Sequence, residues 1–421
     1  MKVAIISDLH LGFRQYGSIE REKDFYRQFF NVCKEIKKHR PEIVIIAGDL
    51  FDKPNPTPAA INAYREGIGN LNSILCVTKG NHTMILREGH YSIDEYFGAD
   101  EFEGYYYLDD ETITTVLHGM QSNYDLEFRK YVNKPNVLVT GITYRYNSDL
   151  DEFIKVQKEL AEKNSKEDAS YKILVVHQSF KEFCGFVGEE LSIEDIDYSP
   201  YDAVICGHIH SRFNTVLPDG TLFIQPGSIE RMNTTEALDE EKNGKGFYLL
   251  DTEDNSLEFF KVECPRKFFL GEVKLDTKQD LENHLEELNN DISKLKVPPI
   301  ISYKYKNHIN NIEAVRENIS LMGKNILLNK SHIDDQSQEE VVLEITDNEL
   351  PTVVEAISMY GKDSGLDEKE VALALDIYNS LSGNLESTSD VLDNYFNKNK
   401  TEYEEEESVD EEFEELIRYF E

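Results

Sequence analysis

Two Asp, one Asn and five His recur in five short motifs along the first half of the chain. They are Asp8-Leu9-His10, Gly48-Asp49, Gly80-Asn81-His82, His177 and Gly207-His208-Ile209-His210. Imidazole mixed with carboxylate suits borderline divalent ions such as Mn²⁺, Fe²⁺ or Zn²⁺, whereas an all-oxygen set suits Mg²⁺ or Ca²⁺. No Cys belongs to the set, which argues against a closed structural zinc site. Asp8 and His10 are two residues apart; in an extended segment such a pair faces one side and can reach one ion. His208 and His210 have the same spacing. Gly48 lets the backbone turn sharply before Asp49. A carboxylate between two cations bridges them, and Asp49 is the expected bridge. Asn81 offers a neutral amide oxygen. Seven ligands are therefore expected: Asp8, His10, Asp49, Asn81, His177, His208 and His210. That number serves two ions. A pair of ions about 3.5–4 Å apart clamps phosphate oxygens and activates a water for in-line attack, so no protein nucleophile is needed. His82 is left as a non-ligand, expected to stabilise the transition state or to protonate the leaving oxygen.

The elements that must position these groups are legible beside them. Each motif follows an apolar, largely β-branched run: Val3–Ile6, Ile43–Ala47, Ile74–Val77, Ile173–Val176 and Val204–Cys206. Such runs read as buried parallel strands, and open α/β sheets gather ligands at the carboxyl ends of their strands. Five strands then deliver ligands to one edge. A single His at a strand end is more often structural than catalytic; the order of five motifs, each after a strand-like run, carries the reading. His39, His90, His118, His284, His308 and His332 sit in no motif and are read as structural. Glu20–Lys38 has apolar residues at helical spacing. Phe247–Leu250 and Leu257–Val262 read as late strands of the same system. The expected class is α/β, two packed sheets flanked by helices.

At 421 residues, two or three domains are expected. Cys264-Pro265-Arg266 marks a boundary. Beyond it a small α+β unit is predicted: strand Phe268–Leu275, helix Lys278–Leu295, strand Ile300–Tyr305, helix Ile309–Met322 and strand Ile326–Ile333. Residues 336–400 read as a linker and helices. Leu350–Tyr360 has Pro351 in its first turn and Gly361 after its end. Asp367–Leu381 has Asp367 as N-cap and apolar residues on more than one face, so it should dock on something. Ser387–Phe396 is a further helix candidate. Residues 401–421 form an acidic tail: Glu402–Glu421 holds eleven acidic residues against one Arg, a composition that stays solvated and disordered. Five Cys without a C-x-x-C pair suit a reduced, cytosolic protein. The few apolar residues before Ser7 are too short for a signal peptide. No apolar run approaches the roughly 20 residues that cross a membrane.

D-x-H, G-D, G-N-H, H and G-H-x-H in this order resemble the calcineurin-like metallophosphoesterases. Closer features narrow the resemblance. Asp8–Tyr16 with Arg21–Asp24, Gly48-Asp49-Leu50-Phe51, Val176-His177-Gln178, and Gln225-Pro226-Gly227-Ser228 with Arg231 look like the Mre-eleven/SbcD nuclease family. The motif match spans residues 1 to about 232; past residue 265 it is one of layout, with a capping domain and C-terminal helices that bind a partner. The resemblance implies a Mn²⁺-dependent DNA nuclease of double-strand-break repair, a 3′-to-5′ exonuclease and endonuclease. It implies that Asp8, His10, Asp49 and His210 hold one ion, that Asp49, Asn81, His177 and His208 hold the other, and that His82 is catalytic. It implies a Rad-fifty/SbcC-type coiled-coil ATPase as partner and a homodimer, with Pro58–Leu71 and Ser92–Phe97 as candidate contacts. The expected location is the cytoplasm, at the nucleoid.

Two departures stand out. The usual G-N-H-D reads Gly80-Asn81-His82-Thr83, so the Asp that often supports the catalytic His is missing; either another carboxylate serves, or His82 is less basic and the chemistry slower. Asp52 stands where many relatives have His. Charge is a further conflict: the net charge is −37, against a broad basic face for nucleic acid. Arg14, Arg21, Lys23, Lys53, Lys79, Arg87, Arg212 and Arg231 either form a local basic strip or pair with acidic neighbours. Two other functions fit the motifs: a small-molecule phosphodiesterase or phosphatase of the same fold, and a low-activity scaffold subunit.

Overall fold

A computed structural model describes residues 1–84, 93, 105–108, 113–117, 120–121, 136–184, 191–308, 326–329 and 331–335. Met1–Glu339 forms one compact unit and Glu340–Glu421 a second. The expected helix 309–322, the helices past residue 350, the acidic tail and all of 92–97 except Ile93 lie outside the described residues, as do His90, His118 and Arg87.

The five strand-like runs before the motifs fold as read, each at most three residues longer. β1 (Lys2–Ile6), β2 (Ile43–Ala47), β3 (Ile74–Thr78) and β4 (Tyr105–Leu108) lie side by side and parallel. β12 (Gly246–Asp251) and β13 (Ser256–Lys261) extend that sheet antiparallel beyond β1, giving the order β13-β12-β1-β2-β3-β4. The second sheet has the order β10-β11-β9-β8-β7-β5-β6. Its strands are β5 (Ile113–Leu117), β6 (Met120–Gln121), β7 (Asn136–Ile142), β8 (Tyr171–His177), β9 (Ala203–Gly207), β10 (Phe213–Val216) and β11 (Leu222–Gln225). β7, β8, β9 and β11 run parallel.

The central strands are buried on both faces, which is why their sequences are continuous apolar runs instead of alternating ones. Alternate residues build different cores. Val3, Ile5, Ile43, Ile45 and Cys76 face Val139, Ile173, Val175, Ala203 and Ile205 of the other sheet. Ala4, Ile6, Val44, Ile46 and Val77 pack beneath Phe29, Val32 and Ile36 of α1 (Ile19–His39) and Tyr64 of α2 (Pro58–Ile68). The far face of the second sheet is covered by Phe153, Leu160 and Ala161 of the helix Leu150–Ser165. The result is a two-sheet sandwich with helices on both outer faces.

After Cys264 a third, smaller sheet begins. β14 (Phe268–Leu275) pairs in parallel with β15 (Ile300–Asn307), and β15 with β16 (Leu328–Asn329) and β17 (His332–Asp335). The strand expected at Ile326–Ile333 is thus two short pieces. The helix Lys278–Ser293 starts on a capping box, in which Thr277 accepts from Asp280 N while the Asp280 side chain accepts from Thr277 N. Leu281, Leu288 and Ile292 of that helix pack on Leu275, Ile301 and Tyr305.

Candidate metal centre

The five motifs converge at one edge of the sandwich, where strands of both sheets end. Asp8 and His10 follow β1, Asp49 follows β2, Asn81 and His82 follow β3, His177 closes β8, and His208 and His210 follow β9. Among the described residues three triads result, each with one ligand atom per residue and all atoms within 4.8 Å: Asp8, His10 and His210; Asp49, His177 and His208; and His10, Asp52 and His82.

The backbone reaches this arrangement by left-handed turns. Asp8 (φ 52°), His10 (φ 43°), Asp49 (φ 46°) and His208 (φ 88°) are four of the seven described non-glycine residues at positive φ. Each such conformation costs about 1–3 kcal/mol and persists where surrounding contacts hold it. Asp8 N donates to Gly48 O at 3.2 Å and His10 N to Asp49 O at 3.0 Å. Asp8 and His10 therefore converge through a curled loop, not through the extended i, i+2 geometry that their spacing suggested. The motif glycines serve close approach as well as turning. A Cβ on Gly48 (φ +92°) would lie 2.0 Å from His177 Nδ1, and one on Gly207 1.8 Å from Ala47 O.

The ring nitrogens have defined partners on one side. His177 Nδ1 donates to Ala47 O at 2.8 Å, and His210 Nδ1 to Glu236 Oε1 at 2.9 Å. Their Nε2 atoms then point inward. His210 Nε2 is 3.1 Å from His10 Nε2 and 3.7 Å from Asp8 Oδ1. His177 Nε2 is 3.2 Å from Asn81 Oδ1 and 3.2 Å from Asp49 Oδ2. Asn81 Oδ1 is also 3.0 Å from His208 Nδ1. Asp49 Oδ2 reaches the first triad too, at 3.8 Å from His10 Nε2. Each of these contacts needs a shared proton or a cation between its two atoms, and the mixed nitrogen and oxygen set fits divalent ions.

The proton affinities show the same frustration. Burial alone would drive the His177 proton off, yet the Asp49 carboxylate outweighs it and holds His177 up at about 9. Burial raises Asp49, but the charge and hydrogen bond of His177 win and keep it far below the ordinary carboxylate range. Burial, with the charge of His177, pushes His208 down to about 3. Burial likewise holds His10 well below its usual value and lifts Asp8 against the pull of His177 and His210.

His82 stands at the rim, its side chain one-third exposed. Its ring lies edge-on to His10, centroids 4.6 Å apart, and its backbone N–H donates to Asp49 Oδ1 at 3.0 Å. Its Nδ1 donates to Asp52 O at 3.0 Å and sits 3.6 Å from Asp52 Oδ1. The Asp52 side chain, against the opposing effect of burial, lifts His82 to about 9. Thr83 is fully buried. The carboxylate beside His82 is thus supplied by Asp52, the second of the two departures.

Three residues here have no signal in the motifs. Glu236 sets the tautomer of His210 and accepts from Met232 N at 3.1 Å; it lies on a helix (Thr234–Asn243) 26 residues from His210. Ser7 Oγ lies 2.5 Å from Asp8 Oδ2 and 2.8 Å from Ala47 O. Lys245 Nζ donates to His210 O at 3.0 Å. The basic strip, by contrast, is largely spent on internal partners. Arg21 and Arg231 are buried against Glu230, Arg14 pairs with Glu22, Lys23 with Glu20, and Arg212 stacks over Phe259.

Two buried sheets, ligand-bearing loops at their common edge and paired nitrogen–oxygen triads define a metal-dependent phosphoesterase. The family model of the calcineurin-like phosphoesterases matches residues 1–212, half of the chain, and the chain belongs to that family. It is similar along its whole length to the DNA double-strand break repair protein Mre11 of Methanococcus maripaludis: 29% identical over 409 residues, covering 95% of this chain and 100% of that protein. The protein of the same name from Methanocaldococcus jannaschii is 28% identical over 403 residues, covering 93% and 97%. Among solved structures, TT1561 of Thermus thermophilus matches 62% of this chain and 99% of its own, with a TM-score of 0.39 and 14% identity.

Proposed function

We propose that the chain is a DNA nuclease of double-strand-break repair, a Mn²⁺-dependent 3′-to-5′ exonuclease and endonuclease. The observation that supports the metal part is the convergence of nitrogen and oxygen ligand atoms within one cluster. Nε2 of His177 and Oδ1 of Asn81, and Nε2 of His10 and His210, face each other at 3.2 and 3.1 Å. Asp8, His10, Asp49 and His210 would hold one divalent ion, and Asp49, Asn81, His177 and His208 the other. Two such ions supply charge that clamps a phosphodiester and acidifies a water. The chain's own residues do the rest. Glu236 and Ala47 O hold His210 and His177 with Nε2 inward. Ser7 holds Asp8. His82, its Nδ1 fixed by Asp52 O, keeps Nε2 for a proton that it delivers to the leaving oxygen. The nucleic-acid part is supported by near-complete coverage of two proteins named for double-strand break repair.

We further propose residues 1–264 as the nuclease domain, 265–335 as a capping domain, 336–400 as the partner-binding linker and helices, and 401–421 as an acidic tail. The partner would be a Rad-fifty/SbcC-type coiled-coil ATPase and the nuclease a homodimer at the nucleoid. No described helix is long and apolar enough to cross a membrane.

The test compares the full chain with His82→Ala, in Mn²⁺, on linear duplex DNA, circular single-stranded DNA and bis-p-nitrophenyl phosphate. DNA cleavage that falls roughly 10²–10⁴-fold in the variant is expected. Turnover of the small diester alone would replace this reading with a small-molecule phosphodiesterase. Two bound ions and no turnover, even with the ATPase added, would make the chain a scaffold.

A further inference from the structure

The loop after β7 supplies no ligand, yet it is fastened to two loops that do. Tyr144 N donates to Lys79 O at 3.2 Å, just before Gly80-Asn81-His82. Gln178 Nε2, next to His177, donates to Arg145 O at 2.8 Å. Arg145 folds back along the loop, with its guanidinium 2.6 Å from Thr143 Oγ1. The loop is thereby held in register with the centre, and it presents two aromatic rings. Tyr144 lies 5.5 Å from the His208 ring, tilted by 41°, and 6.2 Å from that of His177. Tyr146 meets Tyr144 edge-on at 5.3 Å and 87°. Tyr146 is 38% exposed, so core packing does not account for it. Tyr144 thus touches both the Tyr146 ring and the His208 ring, so a group stacked on Tyr146 would lie near the proposed ions. On a nucleotide whose phosphate lies at those ions, the flat apolar group at that remove is the base.

We infer that Tyr144 and Tyr146 form a nucleobase subsite, in which Tyr146 stacks on the base of the nucleotide being cut while Tyr144 backs it against His208. The inference rests on the nuclease reading. Stacking on a phenol ring uses a π-face that every base has, so the subsite takes any sequence. It needs a base free of its pair, which makes single strands and frayed ends the preferred substrates.

The full chain is assayed with Mn²⁺ on three substrates: a single-stranded oligonucleotide, the same oligonucleotide with an abasic residue at the cut position, and methyl p-nitrophenyl phosphate, which has no base. Tyr146→Ala is expected to raise KM for the intact oligonucleotide about tenfold relative to the base-free diester, and Tyr146→Phe to keep the wild-type ratio within about twofold. The abasic oligonucleotide should show the high KM already in the wild type, with no further rise in the variant. Equal losses on base-bearing and base-free substrates would overturn the inference, because they mark a structural role for the loop. So would an unchanged ratio. A second readout needs no turnover: in a His82→Ala background, an oligonucleotide carrying 2-aminopurine at its 3′ end should be quenched on binding, and Tyr146→Ala should relieve the quench. If the wild type cleaves no diester, the nuclease reading fails. Quenching that depends on Tyr146 still separates that failure from failure of the subsite.

Discussion

His82 has a carboxylate beside it although the residue that follows it is not one. A buried Thr83 follows the histidine, yet a carboxylate stands 3.6 Å from its ring, brought by the β2 loop. Asp52→Ala is expected to lower kcat for DNA by roughly 10–100-fold. It should cost far less with a p-nitrophenyl diester, whose leaving group needs no proton; equal losses on both would reject the role. Glu236 acts through His210 in the manner of outer partners that orient metal-binding histidines. Glu236→Ala should weaken Mn²⁺ binding about 10–100-fold, read by calorimetry on the full chain. The pH dependence of that binding comes from His177, held up at about 9 by Asp49 against burial. Below that pH an entering ion must displace the proton, so apparent affinity should rise as pH rises towards 9 and flatten above it. A binding isotherm that is flat between pH 6 and 9 would contradict this.

The elements explain why the ligands converge. Continuous apolar strands put β1, β2 and β3 in one sheet and β8 and β9 in the other, and all five end at the same edge. Contact between the sheets at that edge is as close as two backbones allow. Gly207 brings β9 against Ala47 O of β2, where a methyl group would lie 1.8 Å from the oxygen. That oxygen also accepts from His177 Nδ1. Gly207→Ala should therefore destabilise the fold by about 1–3 kcal/mol through overpacking and loosen metal binding with it. Thermal unfolding with and without Mn²⁺ measures both. An unchanged melting temperature would show that the sheets can part at little cost.

At the scale of the molecule, a buried charge cluster joins the phosphoesterase sheets to the third sheet. Arg21 meets Asp24 at 2.8 Å and Glu230 at 3.3 Å. Arg266, just past the Cys264-Pro265 boundary, pairs with the same Asp24 and donates to Pro298 O. Removing Arg266 leaves Asp24 paired, among the described residues, with Arg21 and Arg27. Because Asp24 keeps other partners, Arg266→Ala is expected to cost about 1–3 kcal/mol, read by denaturant unfolding. Glu230 belongs to the same cluster; burial pushes it up, but Arg231 and Arg21 outweigh burial and hold it low. Its stabilisation is complete above the unfolded glutamate value and is lost as pH falls through its depressed folded value, so unfolding in acid should ease in that window. The cluster also bears on nucleic acid. With Arg21 and Arg231 internal and a net charge of −37, acidic groups far outnumber the basic ones that could release counterions. The isolated chain should bind duplex DNA weakly, with affinity supplied mainly by the proposed ATPase partner. Nanomolar anisotropy titrations in physiological salt would refute that.

The sequence by itself determined the strands and the chemical groups at their ends. A motif and the run before it are covalent neighbours, so the order of five motifs after five apolar runs was enough to place Asp8, His10, Asp49, Asn81, His82, His177, His208 and His210 at strand ends. Only the tertiary structure decided how they meet. Asp8 and His10 converge because both adopt left-handed backbone, a choice fixed by hydrogen bonds to the β2 loop that local spacing does not encode. His10 faces His210 across 200 residues. Asp52 and Glu236 lie outside the sequence pattern of ligands because their parts depend on an oxygen's distance from a ring nitrogen. Such distances are set by how two sheets pack, and packing is a property of the whole chain.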